Sequence, residues 1–123
     1  MAELHDALVA RFRKQLISKG YKEGRCPIQT YRPDIYCIKL NSSGEAKEEV
    51  IVEAEIQPTL YSEHTSYQLI LMDEYIKSPK NRKRRIAGYL LVPHKKSMFN
   101  FSNSLLASLF PEKCVIKVLQ LKI

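Results

Sequence analysis

The run Val50-Ile51-Val52-Glu53-Ala54-Glu55-Ile56-Gln57 limits what this chain can fold into more than any other stretch. Beta-branched residues dominate its first half and Pro58 follows it, which reads as a buried strand stopped by a proline. Alternation puts Val50, Val52, Ala54 and Ile56 on one face and Ile51, Glu53, Glu55 and Gln57 on the other. Two carboxylates then project side by side from an otherwise apolar strand, roughly 7 Å apart by strand rise. Burying such charges costs several kcal/mol unless something pairs with them, and a divalent cation would do so. A third acid opens another apolar run at Arg32-Pro33-Asp34-Ile35. Much of the chain reads as a frame that brings Asp34 to Glu53.

The chain's 123 residues, 45% of them hydrophobic, suit one domain over residues 1–123 with a modest core. No Gly/Ser/Pro-rich linker divides them, and no apolar run is long enough to span a membrane. The polar, acidic start Met1-Ala2-Glu3-Leu4-His5-Asp6 is unlike a signal peptide. Cys26, Cys37 and Cys114 are an odd, widely spaced set, which fits a reducing, intracellular (cytoplasmic) setting. With His5, His64 and His94 they lack the spacing of a zinc site. A formal charge of +7 and a pI near 9.4 suggest a polyanionic partner.

Taken in order, Leu4, Leu8, Val9, Phe12, Leu16 and Ile17 recur at helical spacing, so a packing helix runs from about Ala2 to Lys19, with Gly20 as its C-cap. Glu3 and Asp6 fall in its first turns, where acids suit the helix dipole and where either could add to an acidic site. An irregular strand is expected around Ile28 to Tyr31. Arg32-Pro33 forces the chain to arrive extended at a second strand, Asp34 to Leu40. Asn41-Ser42-Ser43-Gly44 is a turn, closing a hairpin with a strand from about Glu49 to Gln57. Antiparallel pairing gathers Asp34, Glu53 and Glu55 near one end of that hairpin. Thr65 to Gln68 reads as a capping box, with Thr65 as N-cap of a helix that runs to about Lys77 and stops at Ser78-Pro79. The basic run Lys80 to Arg85 precedes a continuous apolar strand, Ile86 to Val92. Pro93 to Lys96 reads as a basic loop, Ser104 to Phe110 as a short helix, and Cys114 to Leu121 as a last strand. The expected fold is α/β: helix, three strands, helix, strand, helix, strand, with a mixed central sheet flanked by helices.

Pro33-Asp34 and, nineteen residues on, Glu53-Ala54-Glu55 resemble the PD-(D/E)XK motif of the restriction-endonuclease-like nucleases, with a glutamate where lysine is usual. The element order from Ala2 to about Val92 is similar to that superfamily's core. Gly20-Tyr21 after the first helix, the basic Arg32 and the helical Gln68 are most similar to archaeal-type Holliday junction resolvases. The chain departs from those resolvases at Glu55 and in the placing of its helical acids, so the active-site family is carried further than the junction specificity. Some type II restriction enzymes of the superfamily carry E-x-E. The resemblance implies a metal-dependent DNA endonuclease, with branched DNA among its substrates. In it, Asp34, Glu53 and the carbonyl of Ala54 ligate Mg²⁺, with Mn²⁺ as substitute; these are oxygen ligands, as a hard cation wants. Glu55 orients or deprotonates the attacking water, and Gln57 and Gln68 hydrogen-bond the phosphate or the water. The cation stabilises charge building on the phosphate.

Each of these residues also has a plainer meaning. Asp34 could cap the turn after Pro33, Glu53 and Glu55 could face solvent on an edge strand, and Gln68 could serve only the capping box. Six of the nine residues from Lys77 to Arg85 are basic. A solvated loop is the usual meaning of such a run. With Arg32, Lys95 and Lys96, however, its Lys80, Arg82, Lys83, Arg84 and Arg85 are expected to contact DNA phosphates. The absence of an aromatic cluster favours duplex or branched DNA over a single strand. A homodimer is expected, since cutting two strands needs two sites; no membrane and no organic cofactor are. Two alternatives stand beside the nuclease: a DNA-binding module of the same fold without catalysis, and a protein-interaction or assembly factor.

Overall fold

A computed structural model of the protein describes residues 2–57 and 63–123. The first element, α1 (Ala2–Ser18), buries Leu8, Val9, Phe12 and Leu16. It ends in a Schellman turn. Gly20 takes φ 94°, its amide donates to the Ile17 carbonyl at 3.1 Å, and the Tyr21 amide donates to the Leu16 carbonyl at 3.1 Å. The expected strand at Ile28–Tyr31 does not form. The edge strand is instead the two-residue β1 (Lys22–Glu23), and residues 24–34 loop outward before β2 (Ile35–Leu40). Gly24, Pro27 and Pro33 interrupt that segment, and two of them lack the amide a ladder needs. Tyr31 from this loop turns inward to become a buried core residue.

The hairpin is present as expected. Asn41 Oδ1 accepts the amides of Ser43 and Glu45 at 2.9 and 3.0 Å, and Gly44 supplies φ 80°. β3 (Ala46–Ala54) returns antiparallel to β2, with Ile35 opposite Val52. It ends at Ala54 rather than Gln57, so Glu55 lies one step past the strand; Pro58, expected to stop it, lies outside the described residues. α2 (Glu63–Lys77) begins two residues before the expected N-cap, so Thr65 is a first-turn residue rather than a cap. After a 3-10 turn at Pro79–Asn81, β4 (Arg85–Pro93) pairs parallel to β3, with Glu48 beside Arg85 and Ala54 beside Leu91. α3 (Lys96–Leu109) is twice the expected length and begins at Lys96, so the expected Pro93–Lys96 loop shrinks to His94 and Lys95, and β5 (Ile116–Leu121) pairs parallel to β4.

The result is an α/β fold with a five-stranded mixed sheet in the order β1-β2-β3-β4-β5. The hydrophobic effect divides β3 as its alternation requires. Val50, Val52 and Ala54 pack with α1, while Ile51 packs with Leu69 and Met72 of α2 and Leu105 and Leu106 of α3. Fully burying a side chain such as Ile51 contributes about 1.5–3 kcal/mol. Among the described residues no helix is long and apolar enough to cross a membrane, and Cys26, Cys37 and Cys114 are free thiols.

Candidate functional site

The face of β3 that carries Ile51 also carries Glu49 and Glu53, both buried, at 2% and 6% exposure. Their surroundings differ. Glu49 Oε1 accepts the hydroxyls of Tyr36 and Tyr75, the latter at 2.7 Å, and Arg84 Nη2 lies 2.8 Å from Oε2, close enough to pair in charge though off the angle of a hydrogen bond. This carboxylate is balanced inside the protein. Burial and the bond to Glu49 push both phenols well above their ordinary range, so they stay protonated donors. The sequence reading did not single out Glu49. Its position on the Ile51–Glu53 face was legible from alternation, but its three partners come from distant parts of the chain.

Glu53 has no such cation among the described residues. The register that sets Ile35 opposite Val52, carried one residue further, sets Asp34 opposite Glu53. Tyr31 donates to Glu53 Oε2 at 2.7 Å. Burial, with the negative charge of Asp34 as second cause, pushes the Glu53 carboxyl up to about 9, against the weaker pull of Tyr31. Near neutral pH and without a cation, Glu53 is therefore a protonated acid beside Asp34.

Asp34 is aimed by the backbone. Its Oδ2 accepts the Ala54 amide at 2.8 Å, replacing a ladder bond where β2 has run out. The next amide, that of Glu55, points the other way and donates to the Leu91 carbonyl at 2.9 Å. A strand residue's amide and carbonyl leave on the same side, so the Ala54 carbonyl shares the side of Asp34.

From α1, His5 Nε2 stands 3.3 Å from the same Asp34 oxygen, and His5 Nδ1 stands 3.3 Å from Asp6 Oδ1. Partial burial disfavours the imidazolium, but Asp6 and Asp34 outweigh it and hold the ring above its ordinary value. The expected extra acids are thus placed differently: Glu3 is exposed, and Asp6 reaches the pair only through His5. His5 and Tyr31 were both passed over in the sequence, His5 because it lacked zinc spacing. Its helical offset toward Asp34 had no visible signal.

Glu55 is half-buried beyond the strand end. Thr65 Oγ1 donates to its Oε2 at 2.8 Å and the Gln57 amide to its Oε1 at 3.0 Å. Gln68, one turn after Thr65, is on the same side of α2 and half-buried. Asp34, Glu53, Ala54, Glu55, Gln57 and Gln68 therefore gather at the C-terminal ends of β3 and β4, where open α/β sheets bind ligands. Arg32 joins them beside Asp34. Lys95 and Lys96 leave the same end of β4, and all three cations are exposed.

The basic run does not join them. Arg85 pairs with Glu48, five residues before Glu53 on β3, which puts the backbone of Arg85, where the run enters β4, roughly 17 Å from that of Glu53. Arg84 is moreover committed to Glu49.

No three His, Cys, Asp or Glu side chains among the described residues converge as a ready cation cage. The donor set still fits a hard cation. Glu53 and Asp34 also hydrogen-bond each other without a cation, a contact whose proton a cation would replace, and a carbonyl stands on the same side. Mg²⁺ is commonly held by one or two carboxylates, with water completing its shell. No family of known proteins, no curated protein and no solved structure matches this chain.

Proposed function

We propose that the protein is a restriction-endonuclease-like, Mg²⁺-dependent DNA endonuclease with an E-x-E form of the motif. The observation that carries the reading is the contrast on β3. Glu49 is neutralised by Arg84, whereas Glu53 and Asp34 press two carboxyls together with no Lys or Arg paired to either among the described residues. Retaining such a pair costs stability, and binding a cation at a strand end explains it. The strand order and the antiparallel-then-parallel pairing of β1 to β4 also support the fold family.

Asp34, Glu53 and the Ala54 carbonyl would hold the ion. When bound, it supplies Lewis-acid stabilisation of the charge that builds on the phosphate. Tyr31 and His5 hold the Glu53 and Asp34 carboxyls in place. Glu55 orients the attacking water and accepts its proton. The water oxygen bonds to phosphorus, the ester P–O bond breaks, and the leaving oxygen takes a proton from solvent. Arg32, Lys95 and Lys96 hold flanking phosphates. A pair of chains is the acting unit if both strands are cut.

A second reading, a DNA-binding module without turnover, is favoured by the two hydrogen bonds that already occupy the Glu55 carboxylate. Nicking of supercoiled, linear and four-way-junction DNA with Mg²⁺ or Mn²⁺ separates the two. Wild type is expected to cut, and Asp34→Ala and Glu53→Ala are expected to fold and bind but not cut. Cutting at wild-type rate by either variant would end the proposal, and a wild type inert on every substrate would leave the binding module.

A further inference from the structure

We propose that the opposite end of the sheet carries a second, non-catalytic site, a cationic cradle that grips the phosphate backbone of duplex DNA. Three elements meet there: the C-terminus of α2 at Lys77, the turn Pro79–Asn81 with the residues after it, and Lys113 ahead of β5. Between them lies a concavity of about 340 Å³ lined by Lys77, Arg82, Arg84 and Lys113.

Two of those four cations are committed within the protein. Lys77 pairs with Asp73 at 2.9 Å and donates to the Lys113 carbonyl at 2.7 Å, and Arg84 pairs with Glu49. Arg82 and Lys113 make no ion pair among the described residues, and neither do Lys80 and Lys83 beside them. All four are exposed. Glu112 next to Lys113 offsets part of this charge, whereas Glu49 and Asp73 are already balanced.

The run is also a built turn rather than a loose loop. Asn81 is buried, its Nδ2 donates to the Tyr75 carbonyl at 2.9 Å, and the amides of Arg82 and Arg84 close on the carbonyls of Pro79 and Asn81 at 3.2 and 3.0 Å. The backbone that carries the cations is therefore ordered before any ligand arrives, which lowers the entropy lost on binding.

The patch favours a duplex backbone. None of the large exposed hydrophobic residues among the described residues lines this concavity. The cradle thus has nothing to insert into a bilayer and no ring on which an unpaired base could stack. It stands on its own charges; only its partnership with a cutting site rests on the preceding reading. The roughly 17 Å to the acid end corresponds to about five base pairs of duplex.

The test is fluorescence anisotropy in EDTA with a labelled duplex of about 20 base pairs, read between roughly 50 and 200 mM salt. Each phosphate contact contributes about 0.9 to the slope of log affinity against log salt. Replacing Lys80, Arg82, Lys83 and Lys113 together by Ala should reduce the slope by about three to four and weaken binding more than about tenfold near physiological salt. The charge-keeping pair Arg82→Lys with Lys83→Arg should retain the slope. An unchanged slope in the fourfold variant overturns the cradle. So does a variant that loses binding to phosphatidylserine vesicles while keeping its grip on DNA, since the patch would then be a membrane surface. A wild type that binds with a steep slope but never cuts strikes the hydrolytic reading alone. A wild type that cuts, with a fourfold variant of unaltered slope, strikes the cradle alone.

Discussion

Glu53→Gln should make the cation-free protein more stable, increasingly so as pH rises. Glu53 in the folded chain titrates at about 9 against an ordinary 4.5. Below pH 4.5 the carboxyl is protonated both folded and unfolded and contributes nothing to pH dependence. Between 4.5 and 9 the unfolded chain has released the proton and the folded chain still holds it, so stability falls as pH rises. Above 9 both forms are ionised and the loss levels off. Each pH unit inside this window costs about 1.4 kcal/mol, so by pH 7 the group has removed about 3 kcal/mol. Gln keeps an oxygen for the Tyr31 hydroxyl and removes the titration. For a chain of this length the gain amounts to roughly 10 °C in Tm. Urea and thermal melts of both proteins in EDTA, from about pH 5 to pH 8, read the difference, in which other titrating groups such as His5 cancel. A difference that stays constant to within about 0.5 kcal/mol across that range would refute the assigned burial and pairing of Glu53.

Three further outcomes are expected. Glu55→Gln should lower cleavage by roughly 10²-fold if Glu55 is the base, and Glu55→Lys, which rebuilds the common motif, should be active; a wild type that is inert while the lysine variant cuts would identify the binding module. Tyr75→Phe, which removes one of two phenols on Glu49, should cost about 1.5–3 kcal/mol in urea melts and leave cleavage unaltered, because Glu49 lies four residues, roughly 13 Å, along β3 from Glu53. Ser102→Ala should be neutral or stabilising by up to about 1 kcal/mol, since its buried hydroxyl has no partner among the described residues and alanine suits a helix better; a clear loss in Tm would show that the hydroxyl is satisfied after all.

The hairpin and its acids were legible because three local signals agree: the Asn41–Gly44 turn, the alternation through β3, and Pro33 ahead of Asp34. Together they set the register, and the register brings Asp34 to Glu53. What failed to show was tertiary. Met98, Phe101, Leu105 and Leu109 repeat at helical spacing in α3, but Asn100, Ser102 and Asn103 are weak helix formers, and Lys95-Lys96 looked like loop. Packing of Leu105 and Leu106 against the sheet overrides that local preference. The strand at Ile28–Tyr31 was suggested by its residue types and lost to the prolines around it. Charge density alone marked the basic run, and density cannot say which end of a sheet a turn occupies. Pairing in the parallel β3–β4 ladder decides that, and it separates the run from the acids.

The bonds that hold Asp34 also set its denticity. Asp34 has committed Oδ2 to the Ala54 amide and to His5, and Glu53 has committed Oε2 to Tyr31. Asp34 cannot chelate through both oxygens without giving up a bond that holds it in place, whereas Glu53 Oε2 keeps a lone pair beside its bond to Tyr31. A large cation such as Ca²⁺, which takes six to eight oxygens and often two from one carboxylate, would have to break the Asp34 bonds to chelate there. A small octahedral ion that takes one oxygen from each and keeps its own water would not. If the proposed site takes a cation, the hydrogen bonds on Asp34 thus favour Mg²⁺ over Ca²⁺ there.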